Sequence, residues 1–250
     1  MRKMAMILAV AAALALALAG AALADTLLGT DADDTLTGTP GPDQIYGEGG
    51  ADALSGGGGN DYLESGSGAD RLDGGPGVDL LIAGTGDDRV DGGDGGDVVY
   101  AGAGADTVFG GPGDDTLFGQ AGDDHLFGGS GRDRIYASLG TDFVDGGSGA
   151  DRITADAGDV TITGGPGSDS IVARGGNVQV SGDAGDDRIR TGTGHDTVTG
   201  GPGRDRIRTG AGDDKVEVRD GTRDVVRCGA GNDTATADSV DRLIGCENKR

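Results

Sequence analysis

Gly110-Gly111-Pro112-Gly113-Asp114-Asp115-Thr116-Leu117-Phe118 reads as one unit of a repeat, with glycine at places one, two and four, aspartate at six and an apolar residue at eight. Gly74-Gly75-Pro76-Gly77-Val78-Asp79-Leu80-Leu81-Ile82 is a second copy in the same frame. From Gly29 to Glu217 the frame holds without insertion or deletion, giving 21 consecutive units of nine. Across them the fourth residue is glycine except at Ala32, the sixth is aspartate except at Val160 and Val178, and the eighth is always Leu, Ile or Val. Low-complexity drift does not keep three columns in register over this length; the pattern is that of a solenoid.

The unit has a chemical logic. Glycines at its start let the chain turn through conformations closed to other residues and let carbonyl oxygens approach an ion closely. The sixth residue supplies a carboxylate. The last three, as in Thr116-Leu117-Phe118, form a short strand whose middle side chain points one way and whose neighbours point the other. The middle one fills the core.

The true period is 18. In the ten units that begin at 38, 56, 74 and so on to 200, the first residue is always glycine. In the alternate units that place is mostly Ser65, Ala83, Ala101, Ala137, Ala155, Ala173, Thr191 or Thr209, and Pro40, Pro76, Pro112, Pro166 and Pro202 all fall in the first set. An all-β fold follows: a two-faced β-roll with two nonapeptides per coil, each unit stacked on the one 18 residues later. About ten coils at the ~4.8 Å strand spacing make a rod about 50 Å long.

The GGxGxDxUx pattern, with U apolar, resembles that of the RTX, or hemolysin-type, calcium-binding repeat proteins, strongly over 29–217 and less regularly to about 246. The resemblance implies a parallel β-roll in which each calcium ion lies between neighbouring turns, held by loop carbonyls and by aspartates 18 residues apart. Carried onto this chain, one row runs Asp43, Asp61, Asp79, Asp97, Asp115, Asp133, Asp151, Asp169, Asp187, Asp205. The other runs Asp34, Asp52, Asp70, Asp88, Asp106, Asp124, Asp142, is interrupted at Val160 and Val178, and resumes at Asp196 and Asp214. Nine adjacent pairs in the first row and seven in the second set an upper limit of about 16 Ca2+. The gap reads either as two apolar turns that need no ion or as a hinge.

Composition points the same way. Glycine fills 55 of 250 positions, there is no Trp and aromatics are 3%, so an ordinary large core is excluded. The net charge of −23 repels nucleic acid and anionic membranes and attracts cations, among which calcium prefers carboxylate and carbonyl oxygens. Residues 1–24 read as a secretory signal, with Arg2 and Lys3 before an Ala/Leu-rich run and Ala22-Leu23-Ala24 at the cleavage site. The alternative is an uncleaved anchor, since the apolar run approaches bilayer-spanning length. Cleavage would start the mature, secreted chain at Asp25, take the charge to −25 and leave no membrane span.

The roll domain is expected over 25–217 and a cap over 218–250. Val218 breaks the frame, Asp224 and Asp233 continue a degenerate pattern, and Arg242 stands where the last unit should have aspartate. Cys228 and Cys246 are 18 residues apart, one coil, a spacing that suits a disulfide worth about 3 kcal/mol; two free thiols are the alternative.

Two outward patterns stand out. Tyr100, Phe109, Phe118, Phe127 and Tyr136 take the ninth place of successive units, either as a partner surface or as cross-strand stacking. Arg134, Arg152, Arg188 and Arg206 share a column that either meets an anionic polymer or balances nearby aspartates. Catalysis is excluded for lack of any base, nucleophile and orienting group set together: His125 and His195 fall at variable places and no HExxH, GxSxG or GxGxxG occurs. Scattered threonines argue against an ice-binding face. The expected function is calcium binding by a secreted structural or surface protein, with an adhesin that binds glycans or self-associates as the alternative. Many RTX proteins use an uncleaved C-terminal export signal, so the N-terminal signal favours an envelope or matrix role over a toxin.

Overall fold

A computed structural model describes residues 24–250. The expected signal segment therefore lies outside the described residues, apart from Ala24. Strands alternate between two parallel sheets of 13 strands each. The first sheet begins Thr26–Thr30, Gln44–Glu48, Tyr62–Ser67; the second begins Thr35–Thr37, Ala53–Ser55, Arg71–Pro76. Register steps by 18: Thr107 pairs with His125 and Val108 with Leu126. No helix occurs among the described residues, and none is long and apolar enough to cross a membrane.

The rod is longer than the repeats alone imply. A strand at Thr26–Thr30 precedes the first unit, and strands at Val225–Arg227, Thr234–Thr236, Arg242–Ile244 and Asn248–Lys249 follow the last. Thirteen strands at the ~4.8 Å spacing give about 60 Å. The extra coils carry the same inward apolar column, Leu27 at one end and Val226 and Ala235 at the other.

Between the sheets lies one thin core. Eighth-place residues from Ile45 to Val216 are all at most 3% exposed. Beside them run first-place residues small enough for the gap: Ser65, Ala83, Ala101, Ala137, Ala155, Ala173. Cys228 continues this inward column and is bonded to Cys246, with Cα atoms 5.2 Å apart. Register puts Gly245 opposite Cys228, so the bond joins Cys228 to the residue one past its rung, still within the distance a disulfide needs.

The turns demand glycine at the fourth place. At Gly113 φ is +148°, and a Cβ there would be driven into the carbonyl oxygen of Gly95 in the coil below. Gly113→Ala should therefore lower the urea midpoint of the calcium-loaded protein by more than the ~1 kcal/mol that an unfavourable φ alone costs. Gly58→Ala is the control, since the nearest atom to its Cβ is 3.8 Å away and its φ is ordinary. Equal midpoints for the two variants would refute this account of the turn.

Outside, the aromatics stack. Tyr100, Phe118 and Tyr136 lie ring on ring at 4.7 and 4.8 Å on the first sheet, and Phe109 and Phe127 at 4.9 Å on the second. Their faces are spent on one another, and Arg89 covers the free face of Phe109. This is sheet-stiffening packing rather than an open aromatic platform.

Candidate metal centre

Each sixth-place aspartate sits where a turn enters a strand, the first row leading into the first sheet and the second row into the second. Its backbone carbonyl joins the ladder: Asp43 accepts from the N–H of Tyr62 at 2.9 Å, Asp52 from that of Arg71 at 2.8 Å. Its Oδ1 accepts the N–H of the aspartate one coil earlier. Asp61 N–H donates to Asp79 Oδ1 at 2.7 Å, Asp79 N–H to Asp97 Oδ1 at 2.8 Å, Asp88 N–H to Asp106 Oδ1 at 2.9 Å. The carboxylates are thus stacked into rows aimed inward, the first unbroken and the second interrupted between Asp142 and Asp196, whose Oδ1 accepts from Val178 N–H.

The second oxygen is left over. Oδ2 is buried without a hydrogen-bond partner at Asp52, Asp61, Asp70, Asp79, Asp88, Asp97, Asp106, Asp115, Asp124, Asp133, Asp142 and Asp151. The same holds at Asp169, Asp187, Asp196, Asp205, Asp214, Asp224 and Asp233. A buried carboxylate oxygen without a partner costs more than almost any other single group, so a row of them calls for a cation or a proton. Missing Cβ atoms make the room. A Cβ on Gly92 would lie 2.7 Å from Asp97 Oδ2 and 2.6 Å from the carbonyl oxygen of Gly110; one on Gly146 would lie 2.9 Å from Asp151 Oδ2 and 2.5 Å from that of Gly164. Carboxylate and main-chain oxygens converge over the bare face of the glycine.

Hard oxygens in this number suit calcium, which takes six to eight, and suit neither zinc nor copper. Among the described residues no three or more His, Cys, Asp or Glu side chains gather at one point, so main-chain carbonyls must complete any coordination shell. The residues present therefore fit calcium as a chain of carboxylate-and-carbonyl sites, not as isolated acidic clusters.

Burial governs the carboxyl groups in the calcium-free roll. It pushes Asp79, Asp88, Asp106, Asp124, Asp133, Asp151, Asp169 and Asp205 up to about 6, and Asp115, Asp187 and Asp224 to about 7, against the opposing pull of the N–H bonds. Neighbouring aspartates of the row add to the rise, as Asp133 and Asp97 do for Asp115.

The family's sequence profile, the RTX calcium-binding nonapeptide repeat, matches this chain in overlapping copies from 28–63 through 181–216, well over half its length. The chain belongs to the RTX calcium-binding nonapeptide repeat family. Calcium binding follows from that membership, as does a parallel β-roll without helix. No curated protein matches the chain.

Several details of the rows were not visible in the RTX pattern. At the start, Asp34 and Asp43 are already satisfied: Thr30 and Thr39, at the second place of their units, donate N–H and hydroxyl to Oδ2 at 2.5–3.0 Å. Both were expected among the metal-facing aspartates, yet Asp43 joins the row through its Oδ1, which accepts from Asp25 N–H, and Asp34 through its own N–H, which donates to Asp52 Oδ1. At the far end the rows run on. Asp205 N–H donates to Asp224 Oδ1 at 2.8 Å and Asp214 N–H to Asp233 Oδ1 at 3.0 Å.

The last unit has not lost its carboxylate, contrary to the expectation from Arg242. Register steps by 19 from Arg206 to Val225 and by 17 from Val225 to Arg242, so Asp241 takes the aspartate place and accepts from Asp224 N–H at 3.0 Å. On the other row Glu247 accepts from Asp233 N–H at 3.1 Å.

Val160 and Val178 are each 2% exposed and belong to the core. They fill the carboxylate's place with hydrocarbon while the strands Thr161–Thr163 and Gln179–Ser181 keep their pairing. Strand pairing through the gap matches an apolar turn rather than a hinge.

Proposed function

We propose that this is an exported protein whose roll folds on calcium and then serves as a structural element of the cell surface or extracellular matrix. The observation that carries this reading is the pair of inward carboxylate rows with their unpartnered Oδ2 atoms. When bound, calcium supplies positive charge and an oxygen-seeking shell at each rung. The aspartates of the two rows hold it, the glycines leave it space, and the Leu/Ile/Val column closes the core once the coils stack.

Export is supported by the N-terminal basic and apolar run of residues 1–24 and by the Cys228–Cys246 disulfide, which an oxidising compartment permits. Residues 218–250 act as the C-terminal cap. Their register slips, the core column narrows to Ala235, and the disulfide ties the last coils together. A solenoid needs such an end to cover its core.

The rows also fix an expected stoichiometry. Neighbours whose Oδ2 atoms are both unpartnered number nine in the first row and seven in the second, again about 16 ions. That load brings 32 positive charges against a mature net of −25. Equilibrium dialysis of the chain starting at Asp25 should return a number near this, and a count of two or three would overturn the row assignment.

A further inference from the structure

The six arginines at the C-terminal end of the first sheet form a grid that sequence columns only half revealed. Arg188 pairs with Arg206, Arg190 with Arg208, Arg208 with Arg227, and Arg242 with Val225 on the next strand. All six are exposed. Among the described residues, ion pairs within 4 Å occur only at Arg132–Asp114 and Arg174–Asp156, so no member of the grid is directly paired with a carboxylate. None of Arg134, Arg152, Arg188 and Arg206 makes an ion pair within 4 Å, although Arg134 still helps the Arg132 hydrogen bonds hold the Asp114 carboxyl down, acting through space.

Like charges on neighbouring parallel strands oppose sheet formation. Three consecutive rungs of them, on a chain of net −23, are a local reversal of sign that packing does not require. Arg190, Arg208 and Arg227 border a groove of about 1070 Å³. Its floor is turn backbone with Thr193 and Ala211, while the first-place Thr191 and Thr209 side chains turn inward and are buried. The groove exists because the sheet narrows here: strands are six residues long at Tyr62–Ser67 but three at Arg188–Arg190 and Arg206–Arg208.

We infer that this groove binds an extended acidic glycan, a chain of carboxylate-bearing sugars laid across the strands along the roll axis. Guanidinium forks pair with carboxylates in two parallel bonds, and the Arg190, Arg208 and Arg227 column offers one fork per strand, about 4.8 Å apart. A polymer with one charge per sugar matches that step, whereas duplex DNA carries one charge per about 1.7 Å and does not. The bare main chain of Gly192 and Gly210 in the floor suits sugar hydroxyls. The aromatic stacks play no part, since none of their residues lines the groove.

The inference rests on the calcium-folded roll as the working form, and the two fail separately. The experiment is fluorescence anisotropy of a short labelled oligogalacturonate with the calcium-loaded full chain at fixed free calcium. The parent should bind, and Arg190→Gln with Arg208→Gln and Arg227→Gln should weaken binding by about tenfold or more, as loss of charge-assisted bonds implies. Arg71→Gln with Arg89→Gln, on the other sheet, should bind as the parent does, and circular dichroism should show all proteins folding on calcium alike. Equal binding by parent and triple variant would assign the contact to calcium bridging and overturn the proposal. So would no binding by the parent, or tighter binding to oligodeoxythymidylate. Loss of the calcium response in the parent would instead sink the calcium-folding reading.

Discussion

Stripped of calcium at neutral pH, the chain is expected to lose its β-sheet circular dichroism and to regain it when calcium returns to the ~10⁻⁴–10⁻³ M range in which extracellular modules work. The reason is a sum of unfavourable terms that the roll's own side chains cannot offset. Its inward carboxylates keep Oδ2 atoms without a partner, each beside another one coil away. Its 55 glycines lose more backbone freedom on folding than any other residue would. Its core offers about one Leu, Ile or Val per strand, at roughly 1.5–3 kcal/mol for each side chain buried. Ion binding free energy is then folding free energy, as in other metal-dependent small folds. Because each coil touches only its neighbours, the titration should propagate along the rod and be steeper than independent sites allow. Magnesium should replace calcium poorly, since it demands a smaller octahedral shell and gives up water reluctantly. Full β signal in excess chelator at pH 7.5 would refute this account.

Much of this was legible in the sequence because a solenoid is nearly one-dimensional. Once the 18-residue step is seen in the alternation of Gly74, Ala83, Gly92 and Ala101, the column of each side chain up to Glu217 follows, and so do the aspartate rows; Cys228 and Cys246 meet although the step between their coils is 17. What escaped was whatever changes the step or depends on side-chain direction. Asp241 and Glu247 were hidden because after Glu217 register moves by 19 and then 17 on the first sheet, so a fixed step lands on Arg242, and by 19 and then 14 on the second. Thr30 and Thr39 look like ordinary second-place substitutions until their N–H and hydroxyl groups are found on Asp34 and Asp43. The arginine grid was half seen: the seventh-place column was visible, but the ninth-place residues Arg190 and Arg208, with Arg227 beyond the slip, join it only through the strand pairs. The narrowing of the sheet that opens the groove has no sequence signal beyond the change from alanine to Thr191 and Thr209 at the first place.

Acid should do part of what calcium does. In the folded, calcium-free roll burial holds eight of the row carboxyls, Asp79, Asp88, Asp106, Asp124, Asp133, Asp151, Asp169 and Asp205, at about 6, and Asp115, Asp187 and Asp224 at about 7, whereas an unfolded chain titrates near the ordinary value of about 3.9. Between these limits the folded form binds protons that the unfolded form does not. Linkage then makes the folded form gain stability as pH falls: the contribution is fully present below about 4 and is lost as pH rises through 6 to 7. Protein dialysed free of calcium is therefore expected to be unfolded at pH 7.5 and to acquire β signal as the pH is brought toward 4.5. The measurement belongs at low protein concentration with sedimentation alongside, because the pI is near 4.1 and a neutral surface aggregates. The same linkage predicts weaker calcium affinity and measurable proton release on loading at pH 6, with neither effect at pH 8.5. Asp115→Asn separates the two roles of the carboxyl, since an amide keeps an oxygen acceptor and carries no charge. It should shift the acid-induced transition of the calcium-free protein to higher pH while weakening calcium-driven folding at pH 7.5. Calcium-free protein that stays unfolded and monomeric from pH 7.5 to 4.5 would show that charge on the rows is not what keeps the empty roll open.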